Sequence, residues 1–158
     1  SARLKYYLPW RAAVDGTYRF YDDTWGIRAH TVEVAYTQPA WRNWVFDGRV
    51  RYYRQNEADF YSDLFPRRNF ANFLARDKEL AKYQSYSAGL GATYEFRIAR
   101  APWVQKSTIN LRYDFLHIGY DDFRDARLTN PTAGIRAGNE PLYSLNASVV
   151  QLFLSVWY

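Results

Sequence analysis

Apolar and polar residues alternate with a period of two through nearly the whole chain, and that period admits strands and excludes helices. In the stretch from Trp10 to Asp23, Ala12, Val14, Gly16, Tyr18 and Phe20 fall on one side, opposite Arg11, Asp15, Thr17 and Arg19. Val32, Val34 and Tyr36 oppose Thr31, Glu33 and Thr37, and Trp44, Phe46, Val50 and Tyr52 oppose Asp47, Arg49 and Arg51. The run over 87–98 sets Ala88, Leu90, Ala92, Tyr94, Phe96 and Ile98 against Ser87, Gly89, Gly91, Thr93, Glu95 and Arg97. Ile109, Leu111, Tyr113 and Phe115 oppose Thr108, Asn110, Arg112 and Asp114. The last segment carries Tyr143, Leu145, Ala147 and Val149, then changes phase to Val150, Leu152, Leu154 and Val156. A one-residue bulge near Val149–Val150 would keep both sets on one face. Six strands are predicted, with the stretch before Pro9 as the tail of a seventh.

Alternation alone does not say which face is dry, and a soluble antiparallel sandwich or barrel satisfies it too. The polar face argues for another solution. It holds Arg11, Asp15, Arg19, Glu33, Asp47, Arg49, Arg51, Glu95, Arg97, Arg112 and Asp114, six cations and five anions, and every cation is arginine. The planar guanidinium suits paired, partly enclosed charge networks, which points to a wet lumen. Near the strand ends stand Trp10, Trp25, Tyr36, Trp41, Trp44, Trp103 and Tyr158. Rings flanking an apolar band form the girdle of a transmembrane barrel. Composition agrees: 20% of residues are aromatic, 15 of them Tyr and 6 Trp, side chains that gather where one end is dry and the other wet.

Loop lengths supply an independent expectation. Counting back from a periplasmic Tyr158, the stretches 121–141 and about 55–83 fall outside and are long, 22–26 falls outside and is short, and 37–42 and 99–105 fall inside and are short. Long loops on one side and short turns on the other is the barrel pattern. The reading is therefore an all-β, antiparallel transmembrane barrel, porin-like in outline, of a Gram-negative outer membrane. Six or seven strands do not close such a barrel, whose strand number is even and at least 8. Residues 1–158 are thus expected to be the C-terminal part of one larger barrel domain, with a complete eight-stranded barrel as the alternative. The absence of methionine and of a signal peptide fits a chain that begins past a processing site or inside a longer one.

Three stretches carry a resemblance: YRFYDDTWGIRAHTVEVAY, RYYRQNEADFYSD and FLARDKELAKYQSYSAGLGATYEF. Together they resemble the C-terminal half of a bacterial outer-membrane barrel family known only as a domain of unknown function, over most of residues 3–158. The resemblance implies an outer membrane and no established activity. Such barrels are often encoded beside a small lipoprotein, a thioredoxin-like protein and a flavin transferase, which hints at envelope redox work. The closing VVQLFLSVWY resembles the C-terminal signal by which outer-membrane barrels are recognised for assembly.

Candidate sites are few. With no cysteine, disulfides, Cys-based zinc sites and C-x-x-C-H haem attachment are excluded. The net charge of +5 comes from interspersed signs, which argues against nucleic acid. Residues 69–82 are predicted as a short helix, with Phe70, Phe73, Leu74 and Leu80 on one face, in a loop that packs on its own rim or docks other envelope proteins. Asp22 and Asp23, Asp59 and Asp63, and Asp121, Asp122 and Asp125 are rim carboxylates without calcium-loop spacing, read as solvation and not as a metal site. His30 and His117 are the only histidines. A lipid-hydrolysing barrel would set His117 beside Ser85 or Ser87 with Asp121 near, but no nucleophile motif accompanies them. The expected function is a non-enzymatic conduit or scaffold without a cofactor, in contact with outer-membrane lipid. A lipid-modifying barrel enzyme and a soluble binder of a hydrophobic ligand are the alternatives.

Overall fold

In the computed structural model the described residues are 1–65, 67, 73, 75–97 and 103–158. They form one antiparallel sheet of seven strands in sequence order: β1 (Ala2–Tyr7), β2 (Ala13–Asp22), β3 (Arg28–Ala40), β4 (Trp44–Gln55), β5 (Tyr83–Phe96), β6 (Lys106–Arg124) and β7 (Leu142–Trp157). The segment before Pro9 is a full strand, paired with β2 from Ala2↔Tyr18 to Tyr7↔Ala13. The sheet is open. Among the described residues β1 pairs only with β2 and β7 only with β6, so both outer edges lack a neighbour.

Because the side-chain period is two, the register sorts every residue onto one of two faces. The apolar face carries ladder rows such as Gly48↔Leu90↔Tyr113↔Val150, and the charged face rows such as Asp47↔Gly91↔Arg112. Very little is buried between elements. Among the described residues the buried apolar ones are Ala12, Ile27, Ala29, Ala58, Ala81, Val104 and Tyr120, mostly small. The large ones stand uncovered on the apolar face: Leu90 and Val150 are each 68% exposed and Leu152 67%. An apolar patch of that extent marks a surface that meets a partner or another medium.

Three expectations change. The predicted bulge at Val149–Val150 is absent: Val149 faces Asp114 and Val150 faces Tyr113 in unbroken succession. Val149 therefore lies on the charged face with Tyr143, Leu145 and Ala147, and only Val150, Leu152, Leu154 and Val156 lie on the apolar one. The reason is local. Tyr143 belongs to an aromatic cluster under the long loops, 5.6 Å from Tyr120 and 5.9 Å from Phe123 between ring centroids. The register irregularity falls between Gly119 and Arg124 instead, at the rim. Second, β6 runs to Arg124, beyond the alternation that ends at Phe115. Third, of the helix expected over 69–82 the described residues show a single 3-10 turn, Lys78–Leu80, capped by the Asp77 carboxylate. Ala75 instead forms a bridge with Tyr61. Phe70, Leu74 and Ile98 lie outside the described residues.

Candidate functional site

The charged face holds three ion-paired groups at different heights. On β1 and β2, Asp15 takes the Arg3 guanidinium at 2.5 Å and the Lys5 ammonium at 3.4 Å. Near the short-turn end Glu95 meets Lys106 at 2.6 Å. The central group spans three strands: Asp114 accepts from Arg112 Nε at 2.9 Å and from Arg49 Nη2 at 3.2 Å, while Arg112 Nη1 stands 3.8 Å from Asp47.

Arg49 and Asp114 lie two strands apart, a backbone gap of roughly 9–10 Å at ordinary strand spacing. They meet because the intervening strand offers no side chain. Gly89 lies between Arg49 and Asp114, and Gly91 between Asp47 and Arg112. A Cβ at Gly89 would overlap Asp114 Oδ1, and one at Gly91 would overlap Asp47 Oδ1. The carboxylates lie flat across bare backbone, so the charges run along the wall rather than projecting from it. Both carboxylates of the group are thereby paired within the face.

The predicted charged residues are thus dispersed. Asp15, Glu95, Asp47, Arg49, Arg112 and Asp114 join the groups above. Arg19, Glu33 and Arg51 share the face, with Glu33 directly opposite Thr17 and Arg51, but make no ion pair among the described residues. Arg11 sits in the β1–β2 turn at φ 67°, and Arg97 lies past the end of β5. Pattern reading missed Arg3, Lys5 and Lys106. Their strands had been read as a remnant or begun two residues late, and two of the three are lysine where arginine was the expected partner.

The predicted girdle residues, Trp25 excepted, lie at the short-turn end. Trp44 stacks on Phe46 at 5.7 Å and leans on Tyr94 at 4.8 Å, Trp41 lies edge-on to Phe46, and Trp10 Nε1 donates to the Tyr36 hydroxyl at 3.2 Å. Trp103 and Tyr158 are exposed. Trp25 alone is at the other end, edge-on to Phe60 of the long loop at 5.7 Å. There the apolar face is bordered instead by Tyr18, Tyr52 and Tyr86 on one ladder row.

At the long-loop end the 55–83 segment packs on its own sheet. Gln55 Nε2 donates to the Glu79 and Ala81 carbonyls, both at 2.9 Å. Asp63 ties the 55–83 loop to the end of β6, accepting from Arg76 at 2.9 Å and Arg124 at 3.3 Å, and the Arg76 guanidinium lies 5.0 Å above the Phe123 ring. Burial pushes the Tyr61 hydroxyl well above its usual range. In the β6–β7 loop the Thr129 hydroxyl and the Gly138 N–H hold the Glu140 carboxyl below the usual carboxylate range.

The histidines and rim carboxylates are engaged elsewhere. His117 lies on the apolar face, stacked on Tyr86 at 4.7 Å with Nδ1 2.6 Å from Asn146 Oδ1. Ser85 and Ser87 pair with Ile118 and Leu116 on the opposite face, so no hydroxyl from that pair reaches the imidazole. Asp22 pairs with Arg28 and Asp121 with Lys82, Asp23 accepts from the Trp25 and Ile27 amides, and Asp125 holds Arg127. Asp122 accepts from the Lys82 amide, and Asp59 lies against Gly26. No three such groups converge as metal ligands among the described residues.

A family model described as "Protein of unknown function (DUF3570)" matches residues 1–118. The chain belongs to that family. The match covers β1 to β5 and β6 as far as Ile118, so the Gly89–Gly91 seat and its Asp47, Arg49, Arg112 and Asp114 partners fall inside the family's region. Neither a curated protein nor a solved structure matches the chain.

Proposed function

We propose that this sheet is the C-terminal part of a transmembrane β-barrel of a bacterial outer membrane, and that its charged face lines a non-enzymatic conduit. One observation carries the reading: the apolar band runs obliquely across the hydrogen-bond ladder. The band on β2, Val14–Phe20, centres on Thr17, whose ladder row continues through Glu33, Arg51, Ser87, Leu116 and Ala147. On β3 to β7 the apolar runs are 32–36, 44–52, 86–96, 109–115 and 150–156, centred on Val34, Gly48, Gly91, Arg112 and Phe153. Their offsets from the row are 34−33, 51−48, 91−87, 116−112 and 153−147, or 1, 3, 4, 4 and 6 residues, always toward the short turns.

Six residues over five pairings is about 1.2 per strand. With a rise of about 3.4 Å and a strand spacing of about 4.8 Å, the band crosses the strands at a tilt of about 40°. Strands of membrane barrels tilt by roughly 35–45°. A flat apolar slab cutting a tilted sheet produces this drift; a sandwich core does not require it. The uncovered apolar side chains support the same reading, since lipid is the medium that covers such a face without a partner protein. The unpaired edges of β1 and β7 call for further strands, from the rest of a longer chain or from other copies. The wall of paired charges lying flat over Gly89 and Gly91 favours a wet passage. The packed 55–83 loop favours a second reading, a scaffold whose rim holds other envelope proteins.

The test is a heat-modifiability gel on the full-length protein extracted from membranes in detergent, followed by planar-bilayer recording. A band that shifts on boiling and gives conductance steps supports the conduit, and a shifting band without conductance supports the scaffold. A protein that stays in the soluble fraction and does not shift overturns the barrel.

A further inference from the structure

Beyond the last ring of the apolar band, on the same face and toward the long loops, the side chains change character. The row Tyr18↔Val32↔Tyr52↔Tyr86 is followed by Phe20↔His30↔Arg54↔Gln84. Beyond that come Asp22↔Arg28, and Asn56, whose N–H donates to the Arg28 carbonyl. Here a cavity of about 440 Å³ opens, lined by Arg28, His30, Arg54, Gln55, Asn56 and Lys82.

The cavity has cations in excess of their partners. Three cations line it, and the carboxylates near them are two, Asp22 at 3.3 Å from Arg28 and Asp121 at 3.9 Å from Lys82. Arg54 forms no ion pair and no side-chain hydrogen bond among the described residues. Its floor is fixed: Asn56 Oδ1 accepts from the Arg28 amide at 2.5 Å while Nδ2 donates to the Gly26 and Glu57 carbonyls. The His30 ring is held between aromatic neighbours, 5.2 Å from Phe20, with Nδ1 2.8 Å from the Tyr18 hydroxyl. With that hydroxyl donating, the ring proton sits on Nε2, which is left free to donate.

We propose that Arg28, Arg54 and Lys82, with His30, bind a phosphate group, and that its source is the headgroup of an anionic lipid seated at the edge of the apolar band. Guanidinium forks match phosphate oxygens in pairs, and basic clusters just past a membrane-spanning surface take lipid headgroups. The position decides the source. A free anion needs only the cations, whereas here they adjoin apolar rows that continue for the length of the strands, where acyl chains would lie. The assignment rests on the barrel reading above.

The test is native mass spectrometry of the full-length protein in detergent with three probes: phosphatidic acid, a diacylglycerol of the same chains, and inorganic phosphate. The expected result is retention of phosphatidic acid and none of diacylglycerol. Retention should weaken roughly tenfold for each arginine removed in Arg28→Gln and Arg54→Gln, the loss of one charge-assisted pair. Lys82→Gln, whose own ion pair to Asp121 is long at 3.9 Å, is the second variant should the arginine variants fail to fold. Unchanged retention in the folded variants overturns the site, and inorganic phosphate displacing the lipid at equal concentration overturns the lipid source. A heat-shifted wild-type band without phosphatidic acid retention overturns this site alone, while loss of the shifted band overturns the barrel.

Discussion

The two faces of the sheet solve opposite problems with the same backbone. On the apolar face the rows are filled with large side chains that have nothing above them, from Val34 through Leu90 to Leu152. On the charged face the middle rows are emptied: Ser87, Gly89 and Gly91 on β5 leave space that β4 and β6 fill with Arg49, Asp47, Arg112 and Asp114. One face is built to meet an external medium and the other to be satisfied internally. The difference locates the energetics. Substitutions on the apolar face change a transfer free energy into whatever covers it, and those on the charged face change packing and pairing within the protein.

The largest effect follows from placing one charge on each face at the same height. Val34 sits at the centre of the β3 band, and Thr17, directly opposite Glu33, is at the same level on the charged face. Val34→Arg is expected to cost about 2–4 kcal/mol, the cost of arginine at mid-depth on a lipid-facing strand. Thr17→Arg places a guanidinium beside the unpaired Glu33 and is expected to change stability by less than about 1 kcal/mol, the scale of a solvated ion pair. Urea titrations of folding into lipid vesicles measure both. Equal costs for the two substitutions would break the distinction between the faces.

How far the sequence carries this picture depends on which signal a residue sends. Strand β5 is legible over 87–96 because Ala88 to Phe96 alternate without a break, although it begins four residues earlier at Tyr83, and the expected loop of about 55–83 agrees with the end of β4 at Gln55 and the start of β5. Strand β7 was legible as a strand and misassigned by face, since Val149 and Val150 are both apolar and a period-two rule reads adjacent hydrophobes as a bulge. What separates them is a tertiary fact, the aromatic cluster of Tyr120, Phe123 and Tyr143 beneath the loops. The residues of the charged face could be named, but their pairing could not. Arg49 reaches Asp114 across 65 positions through a gap left by Gly89, and a glycine on a polar face sends no signal of its own. Within the described part of 69–82 the converse holds: charge alternation favours a helix there, while Ala75 bridges Tyr61.

That seat gives the second prediction. Gly89→Ala forces Asp114 away from Arg49 and Arg112, an overpacking cost of about 1–3 kcal/mol. If the cost comes from that overlap, Asp114→Ala removes it, and the two substitutions combined cost less than the sum of each alone. Vesicle folding titrations of the four proteins of the cycle report the coupling. Strict additivity would mean that the glycine serves the backbone and not the ion pairs, and the lining would then lose its claim to be built across β5.

The smallest effect lies in the loops, where neither face is at stake. The Thr129 hydroxyl and the Gly138 N–H stabilise the charged form of Glu140, so its carboxyl titrates lower in the folded loop than in the unfolded chain. A carboxyl lowered in this way contributes its stabilisation above the unfolded value, about 4.3, and loses it as the pH falls through the folded one. Hydrogen exchange at the Gly138 amide should be flat from pH 7 to 5 once the intrinsic rate is removed, and protection should fall below about pH 4. Glu140→Gln should remove that fall and hold the amide at its weakly protected level throughout. A fall that persists in Glu140→Gln would reassign the acid sensitivity to Asp125 of the same loop, whose carboxyl the hydrogen-bonded Arg127 guanidinium also holds below its usual range.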